Sequence, residues 1–87
     1  MFSVKIDKKA EKNYRKMPEH YQRRIFELGQ VFKLKPVPAQ EYDVTKIEGM
    51  DNTYRIRIGT IRIVYNVSWN TQIIEIFKIE WRGKAYK

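Results

Sequence analysis

Tyr54-Arg55-Ile56-Arg57-Ile58-Gly59-Thr60-Ile61-Arg62-Ile63-Val64-Tyr65 alternates apolar and polar residues on either side of Gly59-Thr60. That period of two predicts two short strands. A two-residue loop at Gly59-Thr60 sets Ile58 against Ile61, Ile56 against Ile63 and Tyr54 against Tyr65, all on one face. The same register puts Arg57 opposite Arg62 on the other face, with Arg55 beside them. Like charges directly across a ladder are destabilising. A surface that needed only polarity would use opposite signs. Three guanidiniums gathered on one sheet face therefore point to a polyanion, most simply a phosphate backbone.

Beyond this hairpin, Asn70-Thr71 marks a second turn and Ile73–Trp81 a last strand. Two registers compete there. A two-residue loop pairs Tyr65 with Ile76. A three-residue loop through Gln72 pairs Tyr65 with Phe77 and Ile63 with Ile79. The second is preferred, because it buries Ile73, Phe77, Ile79 and Trp81 together and sends Lys78 and Arg82 to the face of Arg57 and Arg62. It also leaves Ile74 and Ile76 on that face, where they are expected under another segment or against a partner.

Before the hairpin, Val44 to Ile47 predicts a short strand, ended by Gly49 and a polar turn at Asp51-Asn52. Phe2, Val4 and Ile6 alternate with polar neighbours, as in a first strand. Asp7 is placed to cap a helix, and Ala10, Tyr14 and Met17 form its apolar stripe. Met17-Pro18 is a tight joint, since proline is tolerated at the first turn of a new helix. Tyr21, Ile25, Leu28 and Phe32 are the apolar stripe of that second helix, with Gln22, Arg23, Glu27 and Gln30 on its other face. Pro36 ends it near Leu34, and Pro36-Val37-Pro38-Ala39 carries the chain from helix to sheet. Residues 1–87 thus read as a single α+β domain, an N-terminal helical hairpin packed on one face of a small, mainly antiparallel β-sheet.

Lys and Arg number 18 against 10 Asp and Glu, a formal net charge of +8. That balance favours nucleic acid, the ribosome or an acidic partner over an acidic small molecule. There is no cysteine, so disulfides, thiolate nucleophiles and Cys-based metal sites are excluded. No apolar run is long enough to span a bilayer, and Met1-Phe2-Ser3-Val4-Lys5-Ile6-Asp7 lacks the pattern of a signal peptide. The expectation is a cytoplasmic chain with no membrane partner. Gly-rich phosphate loops, metal-ligand clusters and Ser/His/Asp spacings are missing. His20, the only histidine, reads as a surface or partly packed residue in the first turn of the second helix.

A basic face with aromatics remains, and RNA cleavage can proceed without a metal. The 2′-hydroxyl attacks the adjacent phosphate in line while the enzyme positions the phosphate, neutralises charge and assists proton transfer. Arginine suits the first two tasks, because its planar fork holds phosphate oxygens and its charge is permanent. With a pKa above roughly 12 it suits the third poorly. By position, the candidates for proton transfer are Lys46, Lys78, Lys84 and Tyr86.

Lys46-Ile47-Glu48-Gly49, Tyr54-Arg55-Ile56-Arg57 with Gly59, Arg62-Ile63-Val64-Tyr65 and Arg82-Gly83-Lys84-Ala85-Tyr86-Lys87 together resemble the RelE toxins of toxin–antitoxin pairs. The Lys5-Ile6 strand and the Tyr14-Arg15-Lys16-Met17-Pro18 joint fit as well, so the resemblance covers nearly the whole chain. It implies a RelE-like fold of the microbial ribonuclease type. It implies an endoribonuclease that enters the ribosomal A site, cuts mRNA there without metal or organic cofactor, and so inhibits translation. A RelB-type antitoxin is the implied partner. By the same resemblance Arg62, Arg82 and Tyr86 are the catalytic residues, with Lys46, Arg55, Arg57, Lys78 and Lys84 along the RNA. One departure stands out: Arg55 and Arg57 occupy positions that are lysine in the well-known bacterial pattern. Phosphate binding carries over to arginine; the identity of the general base does not. Two alternatives stay open, a gyrase-directed toxin of the related ParE type and a non-catalytic RNA- or ribosome-binding module.

Overall fold

The structure, a computed structural model, describes residues 1–81. The chain runs β1 (Ser3–Ile6), α1 (Lys8–Lys16), α2 (Glu19–Phe32), β2 (Asp43–Lys46), β3 (Thr53–Ile58), β4 (Ile61–Ser68) and β5 (Ile73–Trp81). Both helices form for the reasons the sequence offers. Asp7 caps α1, its carboxylate accepting from the Ala10 N–H at 3.0 Å. Pro18 opens α2, whose first turn bonds back to the Pro18 carbonyl. Gln22, expected on the solvent face, instead lies half-buried at the joint. Its Nε2 donates to the Tyr14 and Met17 carbonyls at 3.0 and 3.1 Å. The Tyr14 carbonyl also accepts from the Met17 N–H at 3.2 Å, whereas the Met17 carbonyl, past the last turn of α1, is paired by Gln22.

The five strands lie in the order β1-β5-β4-β3-β2. β2 to β5 pair antiparallel with their neighbours, and β1 is parallel to β5. The β3–β4 register is the expected one: Ile58 faces Ile61, Ile56 faces Ile63, Tyr54 faces Tyr65 and Arg57 faces Arg62. Gly59 takes φ +58° as the first loop residue, where a two-residue hairpin places glycine.

The β4–β5 ladder corrects a choice between two registers, because both occur. Near the turn Tyr65 pairs with Ile76 and Val67 with Ile74; farther on, Val64 pairs with Lys78 and Ile63 with Ile79. The register shifts between Val64 and Tyr65, which leaves Phe77 as the extra residue of a β-bulge. The bulge resets the inward phase, so Ile74 and Ile76 point into the core together with Ile79 and are buried. Ile74 and Ile76 are therefore not on the arginine face and are not surface contacts. Ile73 and Phe77, expected inside, are half-buried. The signal was in the sequence, since Ile74–Ile76 and Ile79–Trp81 each alternate but lie out of step with one another.

Ile25, Leu28 and Phe32 of α2, with Ala10 and Met17, cover the inward residues of β3, β4 and β5 in one apolar cluster. Tyr65 lies in its midst, fully buried, with Oη donating to the Pro36 carbonyl at 2.8 Å. That bond ties the Pro-rich connector to the sheet. The helices thus occupy one side of the sheet and, among the described residues, leave the other side open.

Candidate nucleic-acid interface

Residues paired across a ladder share a face, so the registers define the open side row by row. One row reads Asp43–Arg57–Arg62–Glu80 across β2, β3, β4 and β5. The next reads Thr45–Arg55–Val64–Lys78. A third reads Thr53–Asn66–Glu75, with Lys5 of β1 beside Glu75. Successive rows are about 7 Å apart along a strand.

Arg55, Arg57, Arg62 and Lys78 are therefore brought together, as the sequence suggested. Their electrostatics differ from the expectation. Arg57 Nη2 lies 2.9 Å from Asp43 Oδ2, and Lys78 Nζ lies 3.5 Å from Glu80 Oε2. The Arg57–Arg62 opposition is thus flanked by a carboxylate at each end. Both ion pairs are more than a third exposed, where such pairs contribute about 0–1 kcal/mol. They blunt the like-charge repulsion and leave the guanidinium forks accessible at the surface. Asp43 was missed because the strand was expected to begin one residue later, at Val44. Glu80 was in plain view between Lys78 and Arg82 in the alternation. Lys5 and Glu75 join the face through the parallel β1–β5 pairing, which no local pattern announces.

Lys46 lies elsewhere. It pairs with Tyr54, whose ring is stacked 5.7 Å from Tyr65 on the helix side. Its side chain springs from the opposite face of the sheet at an exposed edge. Arg82, Lys84 and Tyr86 fall outside the described residues. Among the described residues, no group of three or more His, Asp or Glu is arranged to hold a metal ion. No helix among them is long and apolar enough to cross a membrane. His20 is exposed on α2 with its ring against Tyr21, away from the arginine rows.

The turn beside the third row is built rather than loose. Asn66 Nδ2 donates to the Asp51 and Asn52 carbonyls at 3.1 and 3.2 Å, and Thr53 Oγ1 donates to the Asp51 carbonyl at 2.9 Å. At the other end of the face a cleft of about 310 Å³ opens between Arg57, Asp43, Tyr42 and the α2 residues Arg24 and Glu27. Partial burial, and then the neighbouring Glu27 carboxylate, raise the Tyr42 phenol above its ordinary pKa. A second basic surface went unnoticed in the sequence: α1 carries Lys8, Lys9, Lys12, Arg15 and Lys16 against Glu11 alone.

Residues 4–86 match the profile of a family described as ParE toxin of type II toxin-antitoxin system, parDE. Over 86 residues the chain is 37% identical to a Methanocaldococcus jannaschii protein named as toxin RelE1, covering 99% of this chain and 96% of that one. Its fold is similar to that in the archaeal RelE-RelB complex from Pyrococcus horikoshii OT3, with a TM-score of 0.85 and 35% identity over 95% of this chain and 97% of that one. It is also similar to a chain of the RelB-RelE antitoxin-toxin complex from Methanococcus jannaschii, with a TM-score of 0.76 and 28% identity over 95% of each chain.

Proposed function

Because the chain belongs to the RelE/ParE family of type II toxin–antitoxin toxins, we propose that it is a ribosome-dependent mRNA endoribonuclease held in check by a RelB-type antitoxin. The observation that carries this reading is the Arg57–Arg62 pair, directly opposed on an open sheet face with Arg55 in the next row. Two planar forks about 5 Å apart at their Cβ atoms suit the oxygens of one phosphodiester. Their charge stabilises the extra negative charge of the in-line displacement. Arg82 and Tyr86 complete the catalytic set in this proposal, and Lys78 and Lys84 line the RNA path with Arg55 and Arg57. Lys46 is a poorer candidate than its sequence position suggested, since it springs from the other face.

The antitoxin reading rests on similarity to chains solved with RelB. The outer edges of β1 and β2 are unpaired among the described residues and offer places for an added strand. Ile74 and Ile76 are excluded as its contacts by their burial.

The test is mRNA cleavage by the purified chain, with and without translating ribosomes, read by primer extension. The expected result is cutting in the A-site codon only when ribosomes are present. The ParE description of the family favours one second reading, a toxin acting on gyrase. DNA breaks without mRNA cuts would establish that reading in place of the first. Tight, salt-sensitive ribosome binding with intact mRNA would identify a binding module instead.

A further inference from the structure

The arginines of the described face cannot serve as a proton acceptor, because a guanidinium stays protonated below a pH of roughly 12. Cleavage through the 2′-hydroxyl needs one. Among the described residues the face carries three carboxylates, Asp43, Glu75 and Glu80. Asp43 sits on the outermost strand and is bound to Arg57 at 2.9 Å. Glu75 is opposite Asn66, which is four residues along β4 from Arg62, a distance of about 14 Å. Glu80 is directly opposite Arg62. A phosphate held by the Arg62 fork has this carboxylate as its neighbour.

Charge sharpens the point. A carboxylate beside a phosphate site repels the ligand, so for binding alone Glu80 is a cost. Its nearest described partner is Lys78 at 3.5 Å on the same face, a contact that is looser than the Asp43–Arg57 pair. A carboxylate placed against the phosphate-holding arginine, and not locked to it, has the chemistry of a proton acceptor.

We propose that Glu80 accepts the 2′-hydroxyl proton during cleavage, with Arg62 across the ladder holding the phosphate. This rests on the ribonuclease reading above. In the step, the 2′-oxygen bonds to phosphorus as its proton passes to a Glu80 carboxylate oxygen. The bond from phosphorus to the 5′-oxygen breaks, and the departing 5′-oxygen takes a proton from water. Glu80 then returns its proton to solvent. The products are a 2′,3′-cyclic phosphate and a 5′-hydroxyl end, with no change of oxidation state.

The experiment is single-turnover cleavage of mRNA on programmed ribosomes at saturating protein, comparing wild type with Glu80→Gln and Glu80→Ala. Thermal melting checks that both variants fold. Glu80→Gln is expected to bind programmed ribosomes at least as tightly as wild type and to cut about 100-fold or more slowly. Glu80→Ala is expected to regain rate as formate is added, because formate supplies the missing carboxylate. A Glu80→Gln variant that cuts as fast as wild type, or faster, would overturn the assignment, since acceleration is what simple removal of a repelling charge produces. So would a defect confined to binding, or a slow Glu80→Ala that formate leaves unchanged. Wild-type protein that leaves ribosome-bound mRNA intact would overturn the ribonuclease reading itself, and that control is read before any variant.

Discussion

At Tyr65 a phenol has been taken fully out of water, its ring 4.5 Å from Phe32 and its hydroxyl bonded to the Pro36 carbonyl. Burial raises its pKa well above the ordinary value near 10. The native state therefore holds this proton more tightly than the unfolded chain does. The stability this contributes is fully present below about pH 10 and is lost as pH climbs beyond it. Tyr65→Phe should flatten that alkaline decline in urea titrations. At neutral pH it should cost about 1–2 kcal/mol, because the carbonyl loses its donor. On the open face the effects reverse in kind. Arg62→Ala should leave the melting temperature nearly unchanged and lower single-turnover cleavage about 100-fold. Lys46→Ala, on the opposite face, should lower cleavage no more than a few-fold in the same assay.

The element that decides the surface is β5. Its bulge at Phe77 turns Ile74 and Ile76 inward without giving up the inward Ile79. Were they exposed, Ile74→Ala or Ile76→Ala would change stability by about 0.5 kcal/mol or less. As core residues each should cost about 2–5 kcal/mol in chemical denaturation. Strict alternation missed this because a one-residue shift flips every side chain after it. A register chosen for the end of the strand was then wrongly carried to its start. The helical joint tells a similar story on a smaller scale. Gln22 falls on the polar side of α2 by spacing, yet the sharp turn at Met17-Pro18 brings the end of α1 over it. Gln22→Ala should cost about 1 kcal/mol in the same titration, through the Met17 carbonyl it leaves without its donor.

Among the described residues, two surfaces gather several cations each. The arginine rows carry Asp43, Glu75 and Glu80 among their cations, whereas α1 has Glu11 alone against five. α1 packs on the helix side of the sheet, so the two basic surfaces face different ways. Ribosome affinity should accordingly depend on both. Replacing Lys8, Lys9 and Lys12 by Ala should reduce the slope of log affinity against log salt by about 2–3. Cleavage by protein already bound should stay within a few-fold of wild type. Local pattern alone determined the α+β class, the two helices and the joint between them, the Gly59-Thr60 hairpin and the gathering of Arg55, Arg57 and Arg62, because period and turn chemistry act between near neighbours in the chain. The resemblance of its motifs identified the family. Only the tertiary structure decided the parallel seat of β1 on β5, the face from which Lys46 projects and the seat of Asp43 beside Arg57. Each of these depends on which strands lie side by side. That choice is settled by burying one apolar cluster over the whole fold, a quantity no short stretch of sequence contains.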